Sequence, residues 1–130
     1  MVVPMLNNDT CVVYAGIYYT VEWYYDKGGY SEAFEYFLSV SDDQKRKFLL
    51  LVKKMADFGK IIDTRKFRYE GNNIFAFKPQ PDRYLSFFVR GKRIVITNGF
   101  YKKSEKLPEN EIQKATKYRI DYLNRNQEEK

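Results

Sequence analysis

The sequence predicts a single α+β domain, in which a strand and two helices are followed by a three-stranded antiparallel meander and a C-terminal helix. Three observations predict this. The length of 130 residues is typical of one domain, apolar residues recur at helical spacing between positions 41 and 59, and short apolar runs alternate with turn residues from position 72 onward. We therefore assign residues 1–130 to one domain and expect residues 1–11 and 125–130 to be flexible ends.

The N-terminal strand is predicted from composition. Val12–Tyr25 is rich in β-branched and aromatic residues, which favours extended backbone. Ala15 and Gly16 predict a bend within this strand. The stretch from Asp26 to Gly29 contains turn residues and ends it.

Two helices are predicted next from their capping residues. Ser31 can cap a short helix that runs to about residue 40. Ser41 and Gln44 have the spacing of a capping box, so a second helix begins there. Gly59 lies where a left-handed cap would end that helix. Its apolar positions fall at helical spacing: Phe48, Leu51, Val52, Met55 and Phe58.

The second half of the chain predicts three strands and one helix. Turn residues separate the apolar runs 74–77, 83–89 and 94–100, which predicts an antiparallel meander. Pro108 suits the first turn of a last helix. The apolar positions of that helix are Ile112, Ala115, Tyr118 and Tyr122.

Composition narrows the classes of site. The chain has one cysteine, Cys11, and no histidine, so neither an intramolecular disulfide nor an ordinary Cys/His zinc site is expected. We expect no metal and no cofactor. Met1–Thr10 contains no cationic segment leading into a long apolar run, so we expect a soluble, cytoplasmic protein with no membrane partner.

The positive charge is concentrated in one segment. The net charge of the chain is +6, and residues 60–106 contain twelve basic and four acidic side chains, a surplus of eight. The segments on either side are neutral or slightly acidic. A concentrated positive field attracts polyanions, which favours nucleic acid or an acidic protein segment as the partner.

Three sequence motifs lie in this basic segment or extend just past its end. Residues 74–78 form an apolar run that ends in a basic residue, residues 82–88 form an apolar run that begins with Asp82 and Arg83, and Gly99–Pro108 has the pattern G-F-x-K-K-[ST]-x-K-x-P. In this order the three motifs resemble those of the RelE/ParE toxin superfamily, and in particular of its HigB-like, phage-associated branch.

The resemblance implies a RelE-like fold and a type II toxin that cuts messenger RNA in the ribosomal A site. It also implies an antitoxin partner, commonly with a DNA-binding helix-turn-helix, so that operator DNA would be bound only through the toxin–antitoxin complex. ParE-like relatives instead poison DNA gyrase with the same fold.

RNA cleavage without a metal requires a base, a cation that stabilises the phosphorane, and an acid. Arg83 matches the family arginine that contacts the scissile phosphate, and a forked guanidinium suits that role. Lys78 stands where the family often has another arginine. Adjacent strand residues point to opposite faces, so one lysine of the pair 102–103 can face the site, and we favour Lys103. Tyr101 is the candidate proton donor.

Further residues are candidates for RNA binding because they are basic or aromatic: Arg65, Lys66, Arg68, Lys102, Lys106 and Tyr118. For Tyr118, packing in the core on the last helix is the alternative interpretation, and it is the one that the sequence favours. The identity of the general base is open, because the sequence has Ile74 and Ala76 where well-studied RelE proteins have lysines, and has no histidine.

Three functions agree with these observations. The first is a ribosome-dependent messenger RNA endonuclease, the second is a gyrase poison of the ParE kind, and the third is a non-catalytic prophage binding module. Transcript cleavage, the DNA-damage response and harmless expression, respectively, would distinguish them.

Overall fold

A computed structural model describes residues 11–104 and 106–126, and the α+β class is confirmed there. This part of the chain contains six strands and three helices: β1 (Val12–Ala15), β2 (Thr20–Trp23), α1 (Glu32–Ser39), α2 (Asp42–Phe58), β3 (Phe67–Gly71), β4 (Ile74–Phe77), β5 (Asp82–Val89), β6 (Arg93–Tyr101) and α3 (Glu109–Arg125). Residues 1–10 and 127–130 lie outside the described residues, and with them most of the two expected flexible ends.

The strands form one mixed sheet rather than a separate three-stranded meander. Their order is β1-β2-β6-β5-β4-β3, and β2 pairs with β6 in parallel, whereas the other neighbours are antiparallel. The predicted meander was therefore incomplete, because β3 extends it to four strands. β3 was missed because its basic residues were interpreted only as a charged cluster.

The prediction of a single N-terminal strand was also wrong, because this segment divides into the antiparallel pair β1 and β2. The turn between them closes through a hydrogen bond from the Gly16 amide to the Tyr19 carbonyl (2.8 Å). The amides of Tyr18 and Tyr19 donate to the carbonyl of Ala56 in α2 (2.7 and 3.1 Å). The bend predicted at residues 15–16 thus reverses the chain and places the turn against α2.

Both predicted helix caps are confirmed. The Ser31 side chain accepts from the Phe34 amide (3.1 Å), and Ser41 and Gln44 form the reciprocal capping box. Gly59 ends α2 in the left-handed conformation at φ 83°, which glycine adopts without steric cost. Phe58 is an exception to the predicted apolar face, because it is 70% exposed in the last turn, beyond the core. None of these helices is long and apolar enough to span a membrane.

Helices cover the two faces of the sheet separately. One face, here called the α1–α2 face, packs Trp23, Tyr84, Ile94 and Ile96 against these two helices. The other, the α3 face, packs Leu85, Phe87 and Val95 against Ala115 and Leu123 of α3. Side chains alternate between the faces along each strand, so strand position determines which helix layer a residue meets.

A β-bulge in β6 changes this alternation near the end of the strand. Leu85 pairs with Asn98 and Ser86 with Ile96, so Thr97 is the extra residue. The Thr97 hydroxyl donates to the Leu85 carbonyl (3.1 Å). Ile96 packs on the α1–α2 face, whereas the Asn98 side chain donates to Glu111 of α3 (2.8 Å). Residues after the bulge therefore face the opposite way from an uninterrupted strand.

The close approach of the β1–β2 turn to α2 generates a stability prediction. A Cβ atom at Gly16 would lie 2.5 Å from the carbonyl carbon of Ala56, which is backbone and cannot rotate away. Gly16→Ala should therefore lower the free energy of unfolding by about 1–3 kcal/mol, measured by urea denaturation. Gly28→Ala is the matched control, because its Cβ would be 3.4 Å from the nearest atom. Equal losses in the two variants would contradict this contact.

Candidate functional site

A cavity of about 290 Å³ opens where the ends of β3, β4, β5 and β6 meet the start of α3. Among the described residues, the lining contains five basic side chains and one acidic side chain: Arg68, Lys78, Arg83, Lys102 and Lys106, with Glu70. Ser104, Leu107 and Ile112 also line it. An excess of positive charge among these residues favours binding of a polyanion.

Arg83 is the most deeply placed of these cations. It is 3% exposed and pairs across the ladder with Phe100, which packs on the α3 face. Its Nη1 atom donates to the carbonyl oxygen of Asp82 (2.9 Å). Burial and this hydrogen bond restrict the guanidinium, so a planar donor with fixed charge is held in the cavity wall.

Lys78 lies beside Arg83, one position beyond the last pair of the β4–β5 ladder, Phe77 with Tyr84. Its Nζ atom donates to the Thr64 carbonyl (3.1 Å). Burial lowers the pKa of Lys78 below the ordinary lysine value, and the positive charge of Arg83 lowers it further. A lysine in this environment loses its proton more readily than an exposed one, so it can accept a proton from a substrate.

Of the two adjacent lysines after β6, the structure places Lys102 in the cavity. The Lys102 amide donates to the Pro81 carbonyl (3.0 Å), which attaches this segment to the start of β5, and its side chain is partly buried. Lys103, which the sequence analysis favoured, is exposed and does not line the cavity. Because of the bulge at Thr97, Phe100 lies on the same face of the sheet as Arg83. Lys102, two positions after Phe100, shares that face.

Tyr101 lies on the other face of the sheet. It pairs with Asp82, whose side chain meets Tyr36 of α1, and it is 56% exposed. It does not line the cavity. The structure therefore does not bring the candidate proton donor together with Arg83.

The candidate RNA-binding residues divide into two groups. Arg68 and Lys106 line the cavity. Arg65 forms an exposed ion pair with Asp63 (3.0 Å), and Lys66 is exposed outside the cavity. Tyr118 stacks on Tyr24 at 4.8 Å between ring centroids and donates to Glu32 (2.8 Å), so it packs α3 against the body of the protein.

Glu70 was missed by the sequence analysis. It follows Arg68 by two positions in β3, and this alternation would have placed both side chains on one face if the strand had been recognised. The carboxylate raises the pKa of Lys78 and so opposes the effects of burial and Arg83. Among the described residues, no group of three potential metal-ligating side chains lies together.

Comparison with protein families places this cavity in a known context. Residues 35–119 match the family described as "Phage derived protein Gp49-like (DUF891)", a match that extends from α1 into α3 and includes every residue of the cavity lining. The chain belongs to this family. Gp49-like proteins are RelE-like, toxin-like proteins associated with toxin–antitoxin systems, and this context points to an antitoxin as partner. The predicted resemblance is confirmed at this level, and the HigB-like branch remains a prediction. No curated protein matches the chain.

The electrostatic effect of Arg83 on Lys78 generates a prediction about titration. Arg83→Met should raise the pKa of Lys78, because removing a neighbouring positive charge stabilises the ammonium form. Carbon-13 NMR of the lysine Cε atoms would measure this shift. Arg46→Met, which removes an arginine from the exposed surface of α2, should leave the pKa of Lys78 unchanged. An unchanged Lys78 midpoint in Arg83→Met would show that the two side chains do not interact.

Proposed function

We propose that this Gp49-like protein is a HigB-like toxin that cuts messenger RNA on the ribosome without a metal ion. The observation that supports the proposal most directly is the cavity in which Arg83, Lys78 and Lys102 meet. The family context supports the toxin class, and the cavity supports a phosphodiester as the group that is bound.

These three basic side chains have complementary roles in this proposal. Neutral Lys78 accepts the proton of the 2′-hydroxyl, whose oxygen attacks phosphorus. Arg83 binds the equatorial oxygens of the phosphorane with paired N–H donors. Lys102 donates a proton to the 5′-oxygen as the P–O5′ bond breaks. The products are a 2′,3′-cyclic phosphate and a free 5′-hydroxyl, so bonds and protons balance.

The proposed base, Lys78, lies at a different position from the lysines that well-studied RelE proteins carry earlier in the same strand. Ile74 and Ala76 occupy those positions here and are fully buried against α3, so neither position reaches the cavity with a base. The lowered pKa of Lys78 supports its assignment as the base.

A single lysine base predicts modest activity on free RNA. The ribosome would orient the message and the attacking hydroxyl, which removes much of the entropic barrier to the reaction. In this proposal Arg68 and Lys106, at the cavity wall, bind neighbouring phosphates. The protein acts in the cytoplasm, and an antitoxin with a helix-turn-helix neutralises it and carries the complex to operator DNA.

Substitution of Arg83 tests the activity. Expression of the natural protein should stop translation and leave transcripts cut within reading frames. Arg83→Ala should reduce cleavage by about 100- to 1,000-fold, because a donor to the developing charge is lost. Arg46→Ala, which removes an arginine side chain that lies outside the cavity, should cleave normally. Mapping of transcript 5′ ends measures both variants.

Three results of that experiment would count against the proposed function. Intact transcripts together with a DNA-damage response would identify a gyrase poison, and harmless expression would identify a binding module. Toxicity that survives in Arg83→Ala would likewise argue against phosphodiester cleavage in this cavity.

The role of Lys78 predicts a pH dependence. Only the neutral amine accepts a proton, so the single-turnover rate on programmed ribosomes should rise with pH and level off below the ordinary lysine pKa, since burial and Arg83 lower the pKa of Lys78. Lys78→Arg keeps the positive charge but cannot lose its proton, so it should bind RNA and lose this rise. A natural rate and pH profile in Lys78→Arg would restrict Lys78 to phosphate binding.

A further inference from the structure

Three tyrosine–aspartate pairs among the described residues tie separate elements of this fold together through hydrogen bonds. Tyr14 of β1 donates to Asp57 of α2 (2.9 Å), and Tyr24, which follows β2, donates to Asp121 of α3 (2.5 Å). The third joins Tyr36 of α1 to Asp82 at the start of β5. Asp82 directly precedes Arg83, so this pair alone among the three lies next to a cavity residue in the sequence.

The Asp82 carboxylate connects both helices of the α1–α2 layer to the sheet. Its side chain is completely buried. Besides the Tyr36 hydroxyl, the Gln44 amide nitrogen donates to both carboxylate oxygens (3.2 and 3.1 Å). Gln44 also belongs to the capping box of α2. Hydrogen bonds to a carboxylate are stronger than those between neutral groups, so they fix the first residue of β5 relative to α1 and α2.

The backbone of the same segment holds two cations of the cavity. The Asp82 carbonyl accepts the hydrogen bond from Nη1 of Arg83 (2.9 Å), and the adjacent Pro81 carbonyl accepts from the Lys102 amide (3.0 Å). Asp82 thus bonds with its carboxylate to the helices on one face of the sheet and with its carbonyl to the guanidinium on the other.

We propose that Asp82 is a positioning residue that holds Arg83, and through Pro81 also Lys102, in the geometry that stabilises the phosphorane. The inference rests on the proposed function for its effect on rate. Asp82 does not line the cavity, so it acts through the backbone and not by contact with RNA. Burial and the hydrogen bond to Asp82 also raise the pKa of Tyr36 above the ordinary tyrosine value, which keeps its hydroxyl protonated as the donor.

This arrangement predicts that substitution of Asp82 changes the rate of RNA cleavage more than the affinity for RNA. Asp82→Asn keeps the shape of the side chain but removes the charge that strengthens the hydrogen bonds from Tyr36 and Gln44. The start of β5 then has more freedom, and the guanidinium is less well aligned with a phosphorane. Arg68 and Lys106 still attract RNA to the cavity. A small misplacement of a catalytic group reduces the chemical step more than the affinity.

The experiment compares Asp82→Asn with Asp57→Asn. Asp57 accepts a tyrosine hydroxyl in the same way and bonds to Lys53 (2.6 Å), but it lies outside the cavity. On programmed ribosomes we expect Asp82→Asn to lower kcat by about 10- to 100-fold with KM within about twofold, and Asp57→Asn to change neither. Tyr36→Phe should lower kcat in the same direction by less, and it tests the inference if Asp82→Asn does not fold.

A second measurement does not depend on activity. The Nε–H resonance of Arg83 in nitrogen-15 NMR reports the order of the guanidinium, which we expect to broaden in Asp82→Asn and Tyr36→Phe and to stay sharp in Asp57→Asn. Equal kcat values in Asp82→Asn and Asp57→Asn, with an unchanged Arg83 resonance, would overturn the inference. If the natural protein cuts no RNA, the proposed function fails, and the Arg83 resonance alone decides whether Asp82 positions the guanidinium.

Discussion

The pairing of β5 with β6 is the interaction on which the sheet and the cavity both depend. It is the longest ladder of the fold and joins the antiparallel strands β4 and β3 to the parallel partner β2. It also determines which side chains share a face with Arg83. In an uninterrupted β6, Tyr101 and Lys103 would follow Val95 onto the α3 face, whereas the extra residue Thr97 places Phe100 and Lys102 there. A single bulge therefore decides the composition of the cavity.

Local signals predicted the helices well, because the interactions that begin and end a helix lie within a few residues of each other. The Ser41–Gln44 capping box and the left-handed Gly59 are examples. The sheet was harder to predict. The parallel pairing of Val21 with Ile94 joins segments far apart in the sequence, and β3 is an edge strand with charged residues on one face. The hairpin of β1 and β2 depends on the contact of Gly16 with Ala56 of α2, which no local pattern encodes.

The residues of the cavity likewise differ in whether local or long-range interactions determine their positions. Arg83 and Lys78 could be identified from their positions in a motif, because the short turn between their strands brings them together in any antiparallel pairing of this register. The choice between Lys102 and Lys103 could not be made, since a bulge leaves no clear signal in the sequence. Nor could the burial of Arg83 be predicted, since Leu107 and Ile112, which line the same cavity, are distant from it in the sequence. Burial and neighbouring charge together lower the pKa of Lys78, so the acid–base behaviour of this lysine depends on tertiary structure and not on residue type.

The basic side chains that line the cavity among the described residues oppose folding, since like charges repel and a buried guanidinium loses hydration. Hydrogen bonds to backbone carbonyls and the charge of a carboxylate offset part of this cost. The Asp82 and Thr64 carbonyls accept from Arg83 and Lys78, and Glu70 contributes a negative charge to the lining. These partners satisfy individual donors of the two side chains. Charge concentrated in this way at the expense of stability is expected where binding of an opposite charge recovers the free energy. In the proposed function that opposite charge is a phosphodiester chain, which would meet Arg83 in the buried part of the cavity and the exposed side chains of Arg68 and Lys106 at its wall.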